Sequence, residues 1–389
     1  MKPLYAAVLV VSASAGAVAA PKPGVPDLKA KKSFASAVRL YHRLELQPSL
    51  EAFDAALQAF PGWKTAAGFR ASCRWTLGDQ AGARQDAELA SRLNPNDAAS
   101  YAARGKARLI LKDLKGALED FRAAGESDPL SVEAFLGEGS VLSAQGKIRE
   151  ALEPLDEAVR QDPSTAATLL MRGSVRDRLR DFRGAADDYG AVLAVNPQFL
   201  WARLYRGKAL REIKDYRGSE ADLSAFLEAN PNHEDASYLR GNVRFLLGNY
   251  SGAAADLTKV IASNPGKGPA YANRGQARAA LGDREGAVAD LRKALELDPA
   301  RREKIQAAIA AIEKAEPAPE PPAEPAIQAP AKAKAAAPRR ELVEESPAAD
   351  SDDPFRTREE KPEASTARRR RGDPPLEQHT GEEESLFIR

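Results

Sequence analysis

Few side chains in this sequence are of the types that carry out nucleophilic, acid–base or metal chemistry. Among 389 residues there are three His, at positions 42, 233 and 379, and one Cys, at position 73. A zinc or iron–sulfur site needs a cluster of Cys and His ligands, and a disulfide framework needs several Cys. His42 and His233 lack such neighbours at ligand spacing, and we find no nucleophile, phosphate-loop or metalloprotease motif. The sequence therefore predicts no catalytic residue, no metal and no cofactor.

The charged residues that recur regularly are arginine and aspartate. Six Arg are each followed by an Asp 16 residues later. The pairs are Arg70 with Asp86, Arg104 with Asp120, Arg172 with Asp188, Arg206 with Asp222, Arg240 with Asp256, and Arg274 with Asp290. Because the two residue types recur together, we expect a ladder of Arg–carboxylate contacts that holds one helix to the next. The alternative is an Arg stripe for an anionic ligand, but an Arg already held by an Asp is poorly available.

The elements that position these pairs repeat every 34 residues. Pro recurs at this spacing, and seven of the eight Pro follow Asn or Asp, a dipeptide typical of turns. They are Pro61, Pro95, Pro129, Pro163, Pro197, Pro231, Pro265 and Pro299. With each Pro at position 32 of a unit, position 8 is Gly in six units, position 20 is Ala in six and Ser in two, and position 24 is bulky in seven. Small residues at positions 8 and 20 let two helices cross closely around the side chain at position 24.

This spacing resembles the tetratricopeptide repeat, a helix–turn–helix unit that stacks into a right-handed superhelix. The resemblance covers residues 30–301 and implies an all-α fold, an α-solenoid. The eight units are 30–63, 64–97, 98–131, 132–165, 166–199, 200–233, 234–267 and 268–301. The first and fourth units lack the Arg–Asp pair and carry Ser36 with Ala52 and Glu138 with Pro154. Drift of older copies is therefore a rival explanation for the co-occurrence of Arg and Asp.

The last unit needs a cap, because each unit exposes an apolar face that only a neighbour covers. Residues 302–314 predict a capping helix, with Ile305, Ile309 and Ile312 on one face. We expect a linker over 20–29 before the first unit. Cys73 occupies a position where the other units carry small apolar residues, which indicates a buried side chain rather than a reactive thiol.

The resemblance implies that a ligand binds in the concave groove that the first helix of each unit lines. From the positions that face this groove we expect a peptide-binding surface, mainly in units five to seven. Its residues are Lys106, Leu170, Ser174, Trp201, Leu204, Lys208, Arg211, Tyr238, Asn242 and Phe245. Apolar and aromatic side chains beside hydrogen-bonding ones suit an extended peptide. Members of the family that hold the carboxylate-ending tails of chaperones use Lys at position 5, which no unit has here, so we exclude that ligand class.

The N-terminus has the features of a secretory signal peptide. A basic start is followed by an apolar run and by Ala17-Val18-Ala19, which fits a small-residue cleavage site. We expect residues 1–19 to be removed and the mature protein to be periplasmic or secreted; an uncleaved anchor is the alternative. No other stretch has the roughly 18 apolar residues of a membrane span.

The C-terminal 75 residues differ in composition from the rest. Residues 315–389 contain 12 of the 27 Pro, 17 acidic and 12 basic residues, and only eight Leu, Ile, Val or Phe. Such a segment buries too little apolar surface to fold, so we predict that it is disordered. Residues 368–371 form a basic block, and residues 385–389 end the chain with an apolar cluster behind three Glu. We treat this cluster as a hypothetical docking motif for the protein's own groove or for another copy.

These observations favour a non-catalytic scaffold that binds a protein or an extended peptide in the cell envelope or outside the cell. The net charge of +1 argues against a nucleic-acid partner. A self-assembling structural component and an accessory subunit of an envelope enzyme complex are the alternatives. Neither the identity of the partner nor the oligomeric state follows from the sequence.

Overall fold

The computed structural model describes residues 25–314. The predicted signal peptide, the first half of the predicted linker and the predicted disordered tail lie outside the described residues. Within them the chain is helical and contains no strand. The predicted α-solenoid class is confirmed by sixteen helices that pack as consecutive antiparallel pairs and by a further helix at the end.

The helices have regular lengths and follow the 34-residue period. They are α1 (Leu28–His42), α2 (Leu46–Ala59), α3 (Lys64–Thr76), α4 (Gln80–Ser91), α5 (Ala98–Ile110), α6 (Leu114–Ser127), α7 (Val132–Ala144), α8 (Leu152–Gln161), α9 (Ala166–Arg178), α10 (Phe182–Val195), α11 (Leu200–Glu212), α12 (Tyr216–Ala229), α13 (Glu234–Leu246), α14 (Tyr250–Ser263), α15 (Gly268–Ala280), α16 (Arg284–Leu297) and α17 (Arg302–Lys314). A short 3-10 turn, Pro299–Arg301, precedes α17. Helix α1 begins at Leu28, so the last two residues of the predicted linker belong to its first turn.

The second helix of most repeats begins with an Asp or Asn cap that requires glycine three residues later. In the sixth repeat the carboxylate of Asp215 accepts a hydrogen bond from the backbone N–H of Gly218 at 3.0 Å. A Cβ on Gly218 would lie 2.5 Å from the other carboxylate oxygen. The cap and its glycine therefore form one local signal that starts the helix.

The fourth repeat departs from this pattern. Its second helix, α8, begins only at Leu152 and has 10 residues, because Pro154 tolerates only the first turn of a helix. Backbone turns between Lys147 and Ala151 replace the missing helical turn.

In six of the eight helix pairs, the core lies where a glycine at position 8 faces a bulky side chain at position 24. A Cβ on Gly139 would lie 2.6 Å from Cγ of Leu155, and one on Gly173 would lie 2.8 Å from Cε1 of Tyr189. All seven bulky side chains at position 24 are at most 2% exposed. This packing explains why the first position is small and the second is large.

The last helix covers the apolar face of the eighth repeat. Ile305 of α17 is 1% exposed and packs with Ala272 and Leu291, and Ile309 and Ile312 pack at the edge of the same cluster. The structure therefore contains the predicted capping helix, with the predicted face directed inward.

Candidate functional site

All six Arg–Asp pairs are present in the structure, and each joins the two helices of one repeat. In the sixth repeat Nε and Nη2 of Arg206 donate to the two carboxylate oxygens of Asp222 at 2.6 and 2.8 Å. The other five Arg also donate to their Asp through both Nε and Nη2. The six Asp are 2–4% exposed, which leaves their Arg unavailable as a stripe for an anionic ligand.

A second arginine, which the sequence analysis did not assign, completes most of these contacts. Nη1 of Arg244 donates to Asp256 at 2.9 Å, from one helical turn beyond Arg240. Equivalent Arg donate to the same Asp in four more repeats: Arg74, Arg108, Arg176 and Arg278. The sixth repeat has Leu210 at this position, so Arg206 makes the main ion pair with Asp222.

The fourth repeat has no Arg–Asp pair and carries an acidic residue at the position of the Arg. Glu138 stands where most repeats have Arg, and it accepts a hydrogen bond from Nε of Arg122 in the preceding repeat at 2.9 Å. In the second repeat the Arg itself makes the contact to the preceding repeat, from Nη1 of Arg70 to Asp54 at 2.7 Å. The fourth repeat thus keeps an inter-repeat ion pair without the Arg–Asp pair.

The first helices of most neighbouring repeats contact one another, most extensively α3 with α5. Of the ten predicted groove residues, four are buried, which corrects the expectation that they face an open groove. They are Lys106, Leu204, Tyr238 and Asn242. Leu204 and Tyr238 fill the apolar space between helix pairs, because position 5 faces the neighbouring helices. The other six are half-buried: Leu170, Ser174, Trp201, Lys208, Arg211 and Phe245.

A buried polar cluster joins the seventh and eighth repeats. Nδ2 of Asn273 donates to Oδ1 of Asn242 at 2.9 Å and to the hydroxyl of Tyr238 at 3.1 Å. Nζ of Lys267 lies 4.5 Å from the centroid of the Tyr238 ring and donates to Glu234 at 3.1 Å. The sequence analysis placed Tyr238 and Asn242 in the predicted groove but missed Asn273 and Lys267, whose positions do not recur as a pattern.

A second polar cluster joins the first, third and fourth repeats. Nζ of Lys106 lies 2.6 Å from Oε2 of Glu133, and Nε2 of His42 lies 2.5 Å from Oε1 of the same carboxylate. Lys106 also lies 5.2 Å from the ring centroid of Tyr41 and 5.1 Å from that of Phe69. Burial alone would raise the pKa of Glu133, but Lys106 and His42 lower it to about 2. The carboxylate is therefore a buried anion between two basic groups.

The remaining candidates for chemistry have structural roles. Cys73 is buried, donates to the backbone carbonyl of Leu46 at 3.2 Å, and has its pKa raised to about 11 by burial. Nδ1 of His233 accepts from the backbone N–H of Ala236 as a helix cap. In residues 25–314 no group of three or more His, Cys, Asp or Glu is placed to hold a metal ion. No helix in the same range is long and apolar enough to cross a membrane.

Comparison with family models identifies the repeats. Tetratricopeptide repeat models match residues 102–166, 136–182, 170–219 and 206–268, and a further one matches residues 268–301. These matches extend over half of the chain. The chain belongs to the tetratricopeptide repeat family. Proteins of this family generally act as protein-interaction scaffolds, and no curated protein matches this chain.

Several solved structures match this chain at low sequence identity. The APC/C hetero-tetramer Cut9–Hcn1 matches with a TM-score of 0.53 and 14% identity, over 72% of this chain and 55% of that chain. YrrB, described as a TPR protein with an unusual peptide-binding site, matches with a TM-score of 0.46 and 22% identity, over 49% of this chain and 98% of that one. A tetratricopeptide repeat protein from Parabacteroides merdae matches with a TM-score of 0.38 and 18% identity, over 74% and 100% of the two chains.

Proposed function

We propose that this chain is a non-catalytic scaffold that binds an extended peptide or a partner protein along the first helices of repeats five to seven. The observation that carries the proposal is a set of half-buried side chains on consecutive repeats. Ser174 and Lys208 occupy the same position of α9 and α11, and Arg211 lies one turn beyond Lys208. Half-buried polar side chains on consecutive helices can donate to the backbone of an extended peptide.

An apolar contact for the partner lies beside these polar groups. The ring centroid of Trp201 is 5.4 Å from that of Phe226 and 5.9 Å from that of His233, so Trp201 is held in place by packing. A rigid, half-buried Trp contributes contact area at a low cost in conformational entropy. Tyr205 packs on Tyr189 of the preceding repeat, with ring centroids 5.6 Å apart, and takes no part in the proposed surface.

A photo-crosslinking experiment in the native host tests this surface. A benzophenone amino acid at Lys208 is compared with the same group at Glu228, which is exposed on α12, the second helix of the same repeat. We expect a discrete adduct from position 208 that is lost in the Arg211→Glu background. Equal labelling from both positions, or none from position 208, contradicts the proposal. Light scattering of the purified chain distinguishes it from self-assembly, which predicts a large mass without a partner.

We also propose that the chain is exported, on the basis of its N-terminal composition. Fractionation of the host should place the protein outside the cytoplasm. N-terminal sequencing should begin at residue 20. Full-length protein in the cytoplasmic fraction contradicts export.

A further inference from the structure

Leu44 is unusual among the turn residues that join the two helices of each repeat. The residue at this position has a positive φ, between 59° and 85°, in all eight repeats. In four repeats it is Gly, in three others it is Lys or Arg, and all seven are exposed. Leu44, with φ of 59°, is only 7% exposed. A left-handed backbone is unfavourable for a branched side chain, so contacts elsewhere must hold Leu44 in place.

Those contacts come from the fifth and sixth repeats. The Leu44 side chain belongs to an apolar cluster with Ala166, Leu169, Val192, Leu193 and Ala202. Nδ2 of Asn196, between α10 and α11, donates to the backbone carbonyls of Arg43 at 3.1 Å and of Leu44 at 3.3 Å. Both the side chain and the backbone of this turn are therefore bound by a segment about 150 residues later.

The two residues before the turn are bound by the third and fourth repeats. His42 pairs with Glu133, which lies in the first turn of α7. The ring of Tyr41 faces the ammonium group of Lys106 on α5. The stretch from Tyr41 to Leu44 thus makes two sets of contacts. Tyr41 and His42 contact the Lys106–Glu133 pair. The carbonyls of Arg43 and Leu44 both accept from Asn196, beside the cluster that holds the leucine side chain.

We propose that the surface that repeats three to six present to this stretch is a peptide-binding surface, and that Tyr41–Leu44 is its built-in ligand. The surface fits a segment with an aromatic residue, a basic residue and, two positions later, a leucine, as in Tyr-His-x-Leu. Tyr41 and His42 lie in the last turn of α1 and Leu44 has a left-handed backbone, so the segment is bound as the end of a helix, through its side chains and through hydrogen bonds to its final carbonyls. The partner is therefore a segment of this kind, presented by another protein. The proposal goes beyond the proposed function, because it uses other residues than the Lys208 surface.

The built-in ligand competes with any partner. Because the two are joined in one chain, the effective concentration of Tyr41–Leu44 at this surface is high, so a free peptide binds the wild type weakly. Releasing the turn leaves the first repeat anchored by its own aromatic contacts. Phe34 lies 5.3 Å from Phe69 and 6.0 Å from Phe53, measured between ring centroids.

A peptide-binding experiment on the full chain tests the proposal. The variant Leu44→Gly removes the anchoring side chain and places there the residue of four other repeats, so the turn itself is relaxed. The probe is a fluorescein-labelled peptide of residues 39–47, and its anisotropy is followed with wild type, Leu44→Gly and Leu44→Gly/Asn196→Ala. We expect Leu44→Gly to bind about tenfold more tightly than wild type, and the double variant to lose most of that gain. A scrambled peptide should bind none of them.

Equal binding to all three proteins, no binding to Leu44→Gly, or equal binding of the scrambled peptide overturns the proposal. A second measurement needs no opened variant: excess unlabelled peptide should speed hydrogen exchange of the amides of Leu44 and Glu45 in the wild type. Unchanged exchange also overturns the proposal. Lys208→Glu should leave peptide binding unchanged, so failure here and failure of the proposed function are distinguishable.

Discussion

A Cβ on Gly68 would lie 2.5 Å from the backbone carbonyl oxygen of Ala103, so helices α3 and α5 approach each other with no room for a side chain. This contact lies between the first helices of the second and third repeats. Lys106, which contacts Tyr41 of the first repeat, lies three residues after Ala103 on α5.

Gly68→Ala is therefore expected to lower stability, because backbone has to shift to accommodate the methyl group. We expect a loss of about 2 kcal/mol in urea unfolding, typical of overpacking in a close-packed core. Gly125→Ala is the matched control, since it lies within α6 and its Cβ would have its nearest neighbour at 3.7 Å. That variant should gain about 0.5–1 kcal/mol from the higher helix propensity of Ala. Equal effects of the two substitutions would argue against the close approach.

Replacing different Asp residues of the ladder by Ala should lower the free energy of unfolding by different amounts. Asp222→Ala strands Arg206, whose side chain is 30% exposed, and we expect a loss of about 2 kcal/mol. Asp256→Ala strands Arg240, which is 13% exposed, and leaves Arg244 with Glu220 as its remaining carboxylate, so it should cost about 3 kcal/mol. Chemical denaturation measures both, with the exposed Glu228→Ala as the control. Unfolding curves that match the control would mean that solvent already satisfies these arginines.

The buried anion Glu133 predicts an acid-dependent contribution to stability. Its pKa is about 2 in the folded chain, against an ordinary value of 4.5. Because the folded pKa is the lower one, the contribution is complete above pH 4.5 and is lost as the pH falls towards 2. The difference in unfolding free energy between wild type and Glu133→Gln should shrink by about 3 kcal/mol over that range. A difference that does not change with pH contradicts the ion pairing of Glu133.

Cys73 should be inert in the folded protein. It is fully buried, and burial raises its pKa to about 11, so little thiolate is available to react. We expect labelling by a disulfide reagent at pH 8 to be about 100-fold slower than for a cysteine introduced at the exposed Gln47. Denaturant should abolish the difference. Fast labelling of the native protein would indicate that α3 opens locally.

The helix pairs could be predicted from the sequence because their signals are local. The Pro of each turn, the Gly that faces the position-24 side chain and the Arg–Asp spacing all act within one repeat, and eight copies in phase reinforce one another. The capping helix follows from the same logic, since the face that Ile305 covers belongs to the adjacent repeat.

The closure of the first repeat onto the fifth could not be predicted in this way. It depends on small rotations that accumulate over four repeats, which no single position encodes. Lys106 is therefore buried against Glu133, where the sequence predicts a residue of an open groove. A local signal does exist: the first repeat has Arg43-Leu44 where the third has Leu111-Lys112, which reverses the polar and apolar order at the turn.

The distance between the first inter-helix turn and the loop after α10 tests the central claim most directly. Spin labels at the exposed positions Gln47 and Gln198, in a Cys73→Ala background, report this distance in pulsed electron paramagnetic resonance spectroscopy. The stacked repeats, closed by Leu44 and Asn196, predict one narrow distribution at short distance, which Leu44→Gly should broaden. A broad distribution at long distance in the parent protein would contradict this arrangement of the repeats.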